Sequence, residues 1–386
     1  MIQEFFTPIS ESVLQQNNSE SSVFESLLIK NIEGQEFPVL EGVKLAIFDV
    51  QESRASINNE GTGVGASEIR KELYRLHSGN WTVSIADLGT IKAGNLIKDT
   101  YYAVKETVSF LLKNDILPII IGGGQDLIYA NYKAYSQLDQ TVNLAVVSPK
   151  FNFGNEEEEL SSNSFLSKII LEEPCNLFNY ANLGYQTYYN SSEEILLIEK
   201  LSFEAHRVGV LKDLTIAEPV MRDADIVGID IGAVRASEAP GNGNANPNGL
   251  YGDDICALAR YAGISDKVTS FGIYEYNPIF DQNGQTGKLI SQMIWYFIEG
   301  FSLRTNDYPY GFKDSYYKYL VPFENEVICF YQSDKSLRWW MQVDVNTQSK
   351  YKRHVLIPCS HEDYLNAIEQ KIPDRWFNAC KKMDLS

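Results

Sequence analysis

From Val43 to about residue 302 the chain alternates short apolar runs with amphipathic stretches, and this rhythm constrains its fold more than any other feature. The apolar runs predict strands over Val43–Val50, Trp81–Leu88, Leu117–Ile121, Asn143–Val147, Leu177–Leu183, Phe203–Leu211, Asp225–Ile231 and Val268–Tyr274. Several are continuous rather than alternating, as expected of parallel strands covered on both faces. Between them, Ile97, Tyr101, Val104, Val108 and Leu111 recur at helical spacing within Ile97–Leu112. Ala66–Leu76, Asp126–Ala134, Asp253–Tyr261 and Thr286–Phe301 read as further helices, and Phe24–Ile29 as a short one. Alternation of this kind predicts an α/β chain, a three-layer α/β/α domain around a mostly parallel sheet of roughly eight strands.

One strand carries the point where chemistry is expected. Val227-Gly228-Ile229-Asp230-Ile231 is apolar except for Asp230, and it breaks into a Pro/Gly/Asn-rich loop from Ala239-Pro240-Gly241 to Gly249. A buried strand that delivers a polar residue to its carboxyl end places it where open α/β sheets bind ligands.

The flanks differ from the middle. Residues 1–42 read as an N-terminal extension, with 17–22 a polar loop, and Glu156–Glu159 as a solvated acidic run. After residue 302 aromatics crowd Tyr308–Phe312 and Tyr316–Tyr319. Glu326–Gln332 and Leu337–Val345 then read as a hairpin, and Ser360 with Asp363 forms a capping box opening a helix over Tyr364–Lys371. The division expected is 1–42, a main domain over 43–302, and a small α+β appendage over 303–386. Trp339, Trp340 and Trp376 either bury that appendage against the main sheet or offer a partner surface.

Composition excludes some roles. The chain has 386 residues, 44% hydrophobic and 22% charged, which suits a globular protein with a large core. A formal charge of −18 argues against nucleic-acid binding. No apolar run reaches the ~18 residues of a membrane span, and the N-terminus lacks the basic-then-apolar pattern of a secretory signal. The five cysteines are scattered without metal or redox spacing, so reduced thiols in a cytoplasm are expected. No Gly-x-Ser-x-Gly elbow, Walker loop or dinucleotide fingerprint is present, and Cys256 has no His within twenty residues.

Six short motifs, taken together, carry a resemblance. They are Asn58–Arg70, Ile119-Ile120-Ile121-Gly122-Gly123-Gly124-Gln125-Asp126, Val146-Val147-Ser148-Pro149-Lys150-Phe151-Asn152, Leu177–Gln186, the Asp230 stretch, and Glu275-Tyr276-Asn277-Pro278. In order, spacing and position at strand ends they resemble the ureohydrolases (the arginase, agmatinase and formimidoylglutamase family), and within them the formimidoylglutamase-like branch, over roughly residues 43–302. The resemblance implies two Mn2+ ions held by two His and four Asp, a metal-bridging hydroxide that attacks a guanidinium or formimino carbon, and commonly a homo-oligomer. It also implies that the Glu of Glu-x-Asn-Pro steers a cationic substrate.

Mapped onto that pattern, Gln125 stands for a His, Ser148, Lys150 and Asn152 for Asp, His and Asp, and Gly232 for an Asp, while Asp230 is kept. Lys150 is a cation with three donors and no lone pair, where a ligand of a dication belongs. The chain has four histidines, His77, His206, His354 and His361, none in these loops. No cofactor is therefore expected. An all-oxygen site of Asp126, Asp230, Glu275 and Asp253/Asp254 is a weaker possibility, because Asp253 and Asp254 suit a helix N-terminus. The expected arrangement is a Lys150–Asp230 pair, or a Gln125–Asn152 hydrogen bond in the old cavity. Glu275 and Asn277 either bind a ligand or shape the turn after the last strand.

The expected function is that of a ureohydrolase-fold pseudoenzyme acting as an interaction or regulatory subunit, its protein partner engaged through the aromatic appendage or the acidic surface. The alternatives are a C–N hydrolase of the formimidoylglutamase or agmatinase type, and a sensor of small cations.

Overall fold

The computed structural model describes residues 2–14, 23–138, 140–155, 158–309, 316–323, 326–343 and 356–384. The strands are β1 (Phe6–Thr7), β2 (Leu28–Lys30), β3 (Leu45–Gln51), β4 (Ile85–Lys92), β5 (Leu117–Gly122), β6 (Val142–Val147), β7 (Leu177–Tyr185), β8 (Glu204–Arg207), β9 (Ile226–Asp230) and β10 (Ser270–Tyr274). All ten form one sheet in the order β1-β4-β3-β5-β10-β9-β6-β7-β8, with β2 also paired to β4. Every pairing is parallel except β1 with β4. The sheet exceeds eight strands because the N-terminal segment adds β1 and β2 to the β4 edge.

Helices α1 (Ala66–Arg75), α2 (Ile97–Lys113), α3 (Leu127–Lys133), α4 (Phe165–Ile170), α5 (Ser192–Lys200), α6 (Ala217–Asp223), α7 (Gly252–Ile264) and α8 (Gln285–Ser302) connect the strands. The continuous apolar runs are explained by two separate cores. Leu45 and Ile47 of β3 join a cluster with Ile69 of α1, Met221 of α6, Leu258 of α7 and Ile294 of α8. Ala46, Phe48 and Val50 point to the opposite cluster, with Val104 of α2, Ile128 of α3, Phe165 of α4 and Ile198 of α5. Alternate residues of one strand thus fill different layers, so both sets must be apolar.

A separate antiparallel sheet holds β11 (Tyr316–Phe323), β12 (Glu326–Ser333), β13 (Trp339–Gln342) and β14 (Leu356–Cys359), followed by α9 (His361–Ile368) and α10 (Asp374–Asp384). The expected hairpin is present, with Phe330 opposite Met341. Trp340 is fully buried, Trp339 is 8% exposed, and Trp376 donates its Nε1 to Gln342 O at 2.9 Å. Trp339 and Trp340 fill the appendage rather than its surface, which corrects the partner-surface expectation for that pair, while Trp376 is partly buried against the same cluster. Arg222 of α6 docks the appendage: its guanidinium donates to Trp339 O and Cys359 O, both at 2.9 Å, and lies 4.6 Å from the Trp340 ring centroid. At the sheet edge Arg375 of α10 meets Glu204 of β8 at 2.9 Å.

The polar loop expected over 17–22 and half of the Glu156–Glu159 run lie outside the described residues, as do Tyr310–Phe312 and the end of the strand expected to Val345. Phe24–Ile29 is a 3₁₀ turn, Phe24–Leu27, that passes into β2. Among the described residues no helix is long and apolar enough to cross a membrane.

Candidate functional site at the strand ends

The chain enters the sheet near one edge, builds β3, β4 and β5, and then crosses to β6, leaving β9 and β10 to fill the gap between β5 and β6. That reversal is a topological switch point, where carboxyl-end loops diverge and leave a crevice. Gln125 follows β5, Ser148, Lys150 and Asn152 follow β6, Asp230 ends β9, and Glu275 follows β10. The structure brings all six together around a pocket of about 180 Å³, lined by Gln125, Lys150, Asn152, Asp230, Gly232 and Glu275 and by loop asparagines, with Ser148 buried beneath.

The β5 loop needs its glycines. Gly123 N–H donates to Val50 O and Gly124 N–H to Glu52 O, and a Cβ on Gly123 would stand 1.7 Å from Glu52 O. Only glycine permits that approach. The loop then aims the Gln125 N–H at Glu275 Oε1, 2.8 Å away.

Glu275 holds a left-handed φ of +68°, an unusual conformation for a residue with a Cβ. Its Oε2 accepts from Ser56 Oγ at 2.6 Å and Asn59 Nδ2 at 2.8 Å. Burial raises its pKa even against these donors. Ser56 and Asn59 are site residues that motif reading missed. Asn59 lay in the Gly-rich loop already singled out, but contacts over 216 residues of sequence leave no periodic signal. Asn277 is not at the pocket: its Nδ2 donates to Asn59 Oδ1 and Glu60 O, and its Oδ1 accepts from Ile279 N–H. Of the two ligand-binding candidates, Glu275 lines the pocket and Asn277 shapes the turn.

Asp230 Oδ1 accepts the Gly232 N–H at 2.7 Å and Oδ2 faces Ser148 Oγ at 3.4 Å. Burial, then the charge of Glu275, push its pKa up to about 7. A side chain at Gly232 would begin 3.0 Å from Asp230 Oδ1, so an Asp there would set two carboxylates against each other. Ser148 Oγ also lies 3.3 Å from Asn152 Oδ1. Asn152, itself at φ +62°, donates to Gln125 Oε1 at 3.2 Å and Ser162 O at 2.7 Å. The expected Gln125–Asn152 bond is formed.

The expected Lys150–Asp230 ion pair is not. Among the described residues, Lys150 Nζ has one hydrogen bond, to Asn163 Oδ1 at 3.4 Å. The Lys150 ammonium bonds Asn163 instead, and its charge acts on Asp230 through space, lowering that carboxyl's pKa.

The donor set does not fit two Mn2+ ions. Gln125 Oε1 is engaged by Asn152, and its Nε2, a donor, is buried without a partner among the described residues. Lys150 brings a cation, and His77, His206 and His361 lie outside the pocket lining, while His354 is outside the described residues. Nor is the all-oxygen alternative assembled. Asp254 caps its own helix through Tyr251 N–H at 3.0 Å, and no group of three or more His, Cys, Asp or Glu suited to a metal occurs among the described residues. Asp126 lies behind the pocket, bonded to Tyr101 Oη at 2.7 Å, with burial pushing its pKa up to about 7.

Comparison with known proteins adds relatives to this geometry. The Arginase family model matches residues 43–299. The formimidoylglutamase of Bacillus subtilis (strain 168) is 25% identical over 299 residues, 72% of this chain and 91% of its own. That of Staphylococcus haemolyticus (strain JCSC1435) is 23% identical over 289 residues, 71% and 92% of the two chains. Among solved structures, the B. subtilis formimidoylglutamase matches with a TM-score of 0.67 and 20% identity, over 77% of this chain and 97% of that one. A Trypanosoma cruzi formiminoglutamase solved with Mn2+2 matches with a TM-score of 0.63 and 16% identity, over 70% and 97%. The structural matches share the fold.

Proposed function

The chain belongs to the arginase family, and we propose that it is a member that no longer works as a binuclear manganese hydrolase and instead acts as a binding or regulatory protein. One observation carries this reading: the side chains at the former ligand positions are bonded to each other. Asn152 holds Gln125 at 3.2 Å, and Ser148 lies within 3.4 Å of both Asn152 and Asp230. Lone pairs used in this way are not turned toward a pair of dications, and Lys150 adds a positive charge to the same space. The five cysteines, scattered without metal or redox spacing, support a reducing cytoplasm for it. A protein partner at the appendage would use exposed residues such as Leu320 and Val327, not the buried Trp339 and Trp340.

A second reading has its own support. The relatives named above are formimidoylglutamases, which favours a C–N hydrolase of a formimino or guanidino compound. A cation sensor built on Glu275 is less well supported, since three hydrogen bonds already occupy its two oxygens. Metal analysis of the purified chain, joined to assays of formamide and urea release, decides between the first two. The expected result is less than one manganese per chain and no release; two manganese per chain with turnover would establish the hydrolase.

A further inference from the structure

The far edge of the main sheet stands open beside the appendage. β8 ends the strand order and pairs with β7 alone, in parallel. Among the described residues, no backbone hydrogen bond reaches Glu204–Arg207 from any other element. Such an edge presents unpaired N–H and C=O groups, which proteins ordinarily blunt with a short strand or a packed helix. The opposite edge follows that rule, ending on the two-residue β1. At β8 the appendage is joined to the strand by the Arg375–Glu204 contact, but a cavity of about 540 Å³ separates residues 203–206 from α9, α10 and their linker. Ile216 and Pro219 close it on the α6 side. Successive side chains of a strand point to opposite faces, so a cavity lined by four successive residues runs along the edge and not over one face.

The walls specify the guest. His206 Nε2 is buried there, 3.8 Å from Glu204 Oε2, and has no hydrogen-bond partner among the described residues. Four carboxylates line the cavity, on Glu204, Glu362, Asp363 and Asp374, against two cations, Lys371 and Arg375. Arg375 is taken by Glu204, and Lys371 by Glu369, outside the lining, at 2.8 Å. Asp363 accepts the Ser360 N–H at 2.7 Å at its own helix start. Lys382, over the Phe203 ring and outside the lining, is offset by Asp223. The exposed Glu362 and Asp374 remain as uncompensated charge. That sign disfavours a small anion, and a small cation would leave the strand edge and the apolar Phe203, Ile216 and Ile372 unused. We propose that an extended segment of a partner protein, bearing basic side chains, adds to the β8 edge in this groove, with its cations on Glu362 and Asp374. Main-chain bonds to the edge supply affinity in this mode, and alternate side chains supply specificity. The far wall is the appendage, outside the residues 43–299 that match the family model, so the inference requires nothing of the strand-end pocket.

The test is calorimetric titration of the full chain with an acetylated, amidated hexapeptide of alternating lysine and valine. Saturable binding is expected, about tenfold or more tighter than that of the glutamate–valine counterpart. Two further lysine–valine peptides carry N-methyl groups, one on its lysines and the other on its valines. Charge is unchanged in both, and only one alternate set of N–H groups can face the β8 edge. One pattern should weaken binding by about tenfold or more and the other by less than about threefold. Glu362→Lys combined with Asp374→Lys, both at exposed positions, should weaken binding by about tenfold. Hydrogen exchange in β8 should slow when the peptide binds. Absence of saturable binding, equal binding of the glutamate peptide, or equal effects of the two methylation patterns would each overturn the proposal. So would affinity unchanged by the charge reversals, or β8 exchange unchanged by the peptide. Manganese content and formamide release, measured on the same preparation, test the strand-end pocket separately, because neither depends on the β8 groove.

Discussion

Asn152 Nδ2 donates to Gln125 Oε1 across 3.2 Å, joining the loop after β6 to the loop after β5 directly. In the family pattern a metal ion would link those two loops, so here a hydrogen bond stands where a coordination bridge would. Asn152→Asp tests whether the network is neutral by necessity. The substitution removes the donors to Gln125 Oε1 and Ser162 O and points a carboxylate at both carbonyl oxygens. A loss of about 2–6 kcal/mol in denaturant unfolding is expected, at about 1–3 kcal/mol for each of the two unsatisfied groups, with no recovery on adding Mn2+. Full recovery by manganese would mean that the loops still converge on a metal.

Lys150 is the second probe. It is half-buried and makes no ion pair among the described residues, so Lys150→Met should change stability by less than about 1 kcal/mol. Its charge nevertheless lowers the pKa of Asp230 at a distance. Removing it should move the Asp230 titration, followed by carboxyl NMR, upward from about 7. A large stability loss with an unmoved Asp230 would require a direct contact instead.

Asp126 makes a pH prediction. Burial raises its pKa from 3.8 to about 7, so the folded state holds the proton more tightly than the unfolded chain does. Its contribution is therefore favourable at low pH and is lost as pH rises from about 4 to about 7, by up to about 4 kcal/mol. Asp126→Asn keeps an acceptor for Tyr101 Oη and cannot ionise. The variant should gain on the wild type between pH 5 and pH 8 in paired urea melts; a difference constant with pH would show that Asp126 does not titrate in that range.

The unevenness of what the sequence disclosed has physical causes. All eight strands inferred from apolar runs are present, because a strand covered on both faces admits few polar residues, as in Leu117–Gly122 and Val142–Val147. The short elements were missed: α4 has six residues, and β1 and β2 have two and three, too few to show a period. The α5 start, Ser191 bonded to Glu194 N–H at 3.1 Å, was legible as a capping box and was overlooked. At the site, motif order placed Gln125, Ser148, Lys150, Asn152, Asp230 and Glu275 together, since each follows a neighbouring strand. Which of them pair was not legible. Lys150 turning to Asn163, and Ser56 and Asn59 reaching Glu275, depend on loop paths that no local pattern encodes.

Arg222 tests how the appendage is held. It is 3% exposed, its Nε lies 3.0 Å from Glu218, and two carbonyls of the appendage, on Trp339 and Cys359, accept from its guanidinium. Arg222→Ala removes the donor to those two carbonyls and the cation over Trp340, and leaves Glu218 beside the interface with Arg338, 3.5 Å away, as its remaining ion-pair partner among the described residues. Breaking a buried, hydrogen-bonded charge of this kind typically costs about 3–5 kcal/mol. Because the Arg375–Glu204 contact at the sheet edge remains, the appendage should loosen before the main domain does. Hydrogen exchange should therefore rise first in β13, β14 and α6, while β5, β9 and β10 stay protected. A single cooperative loss across all of these strands would show instead that appendage and sheet unfold as one unit.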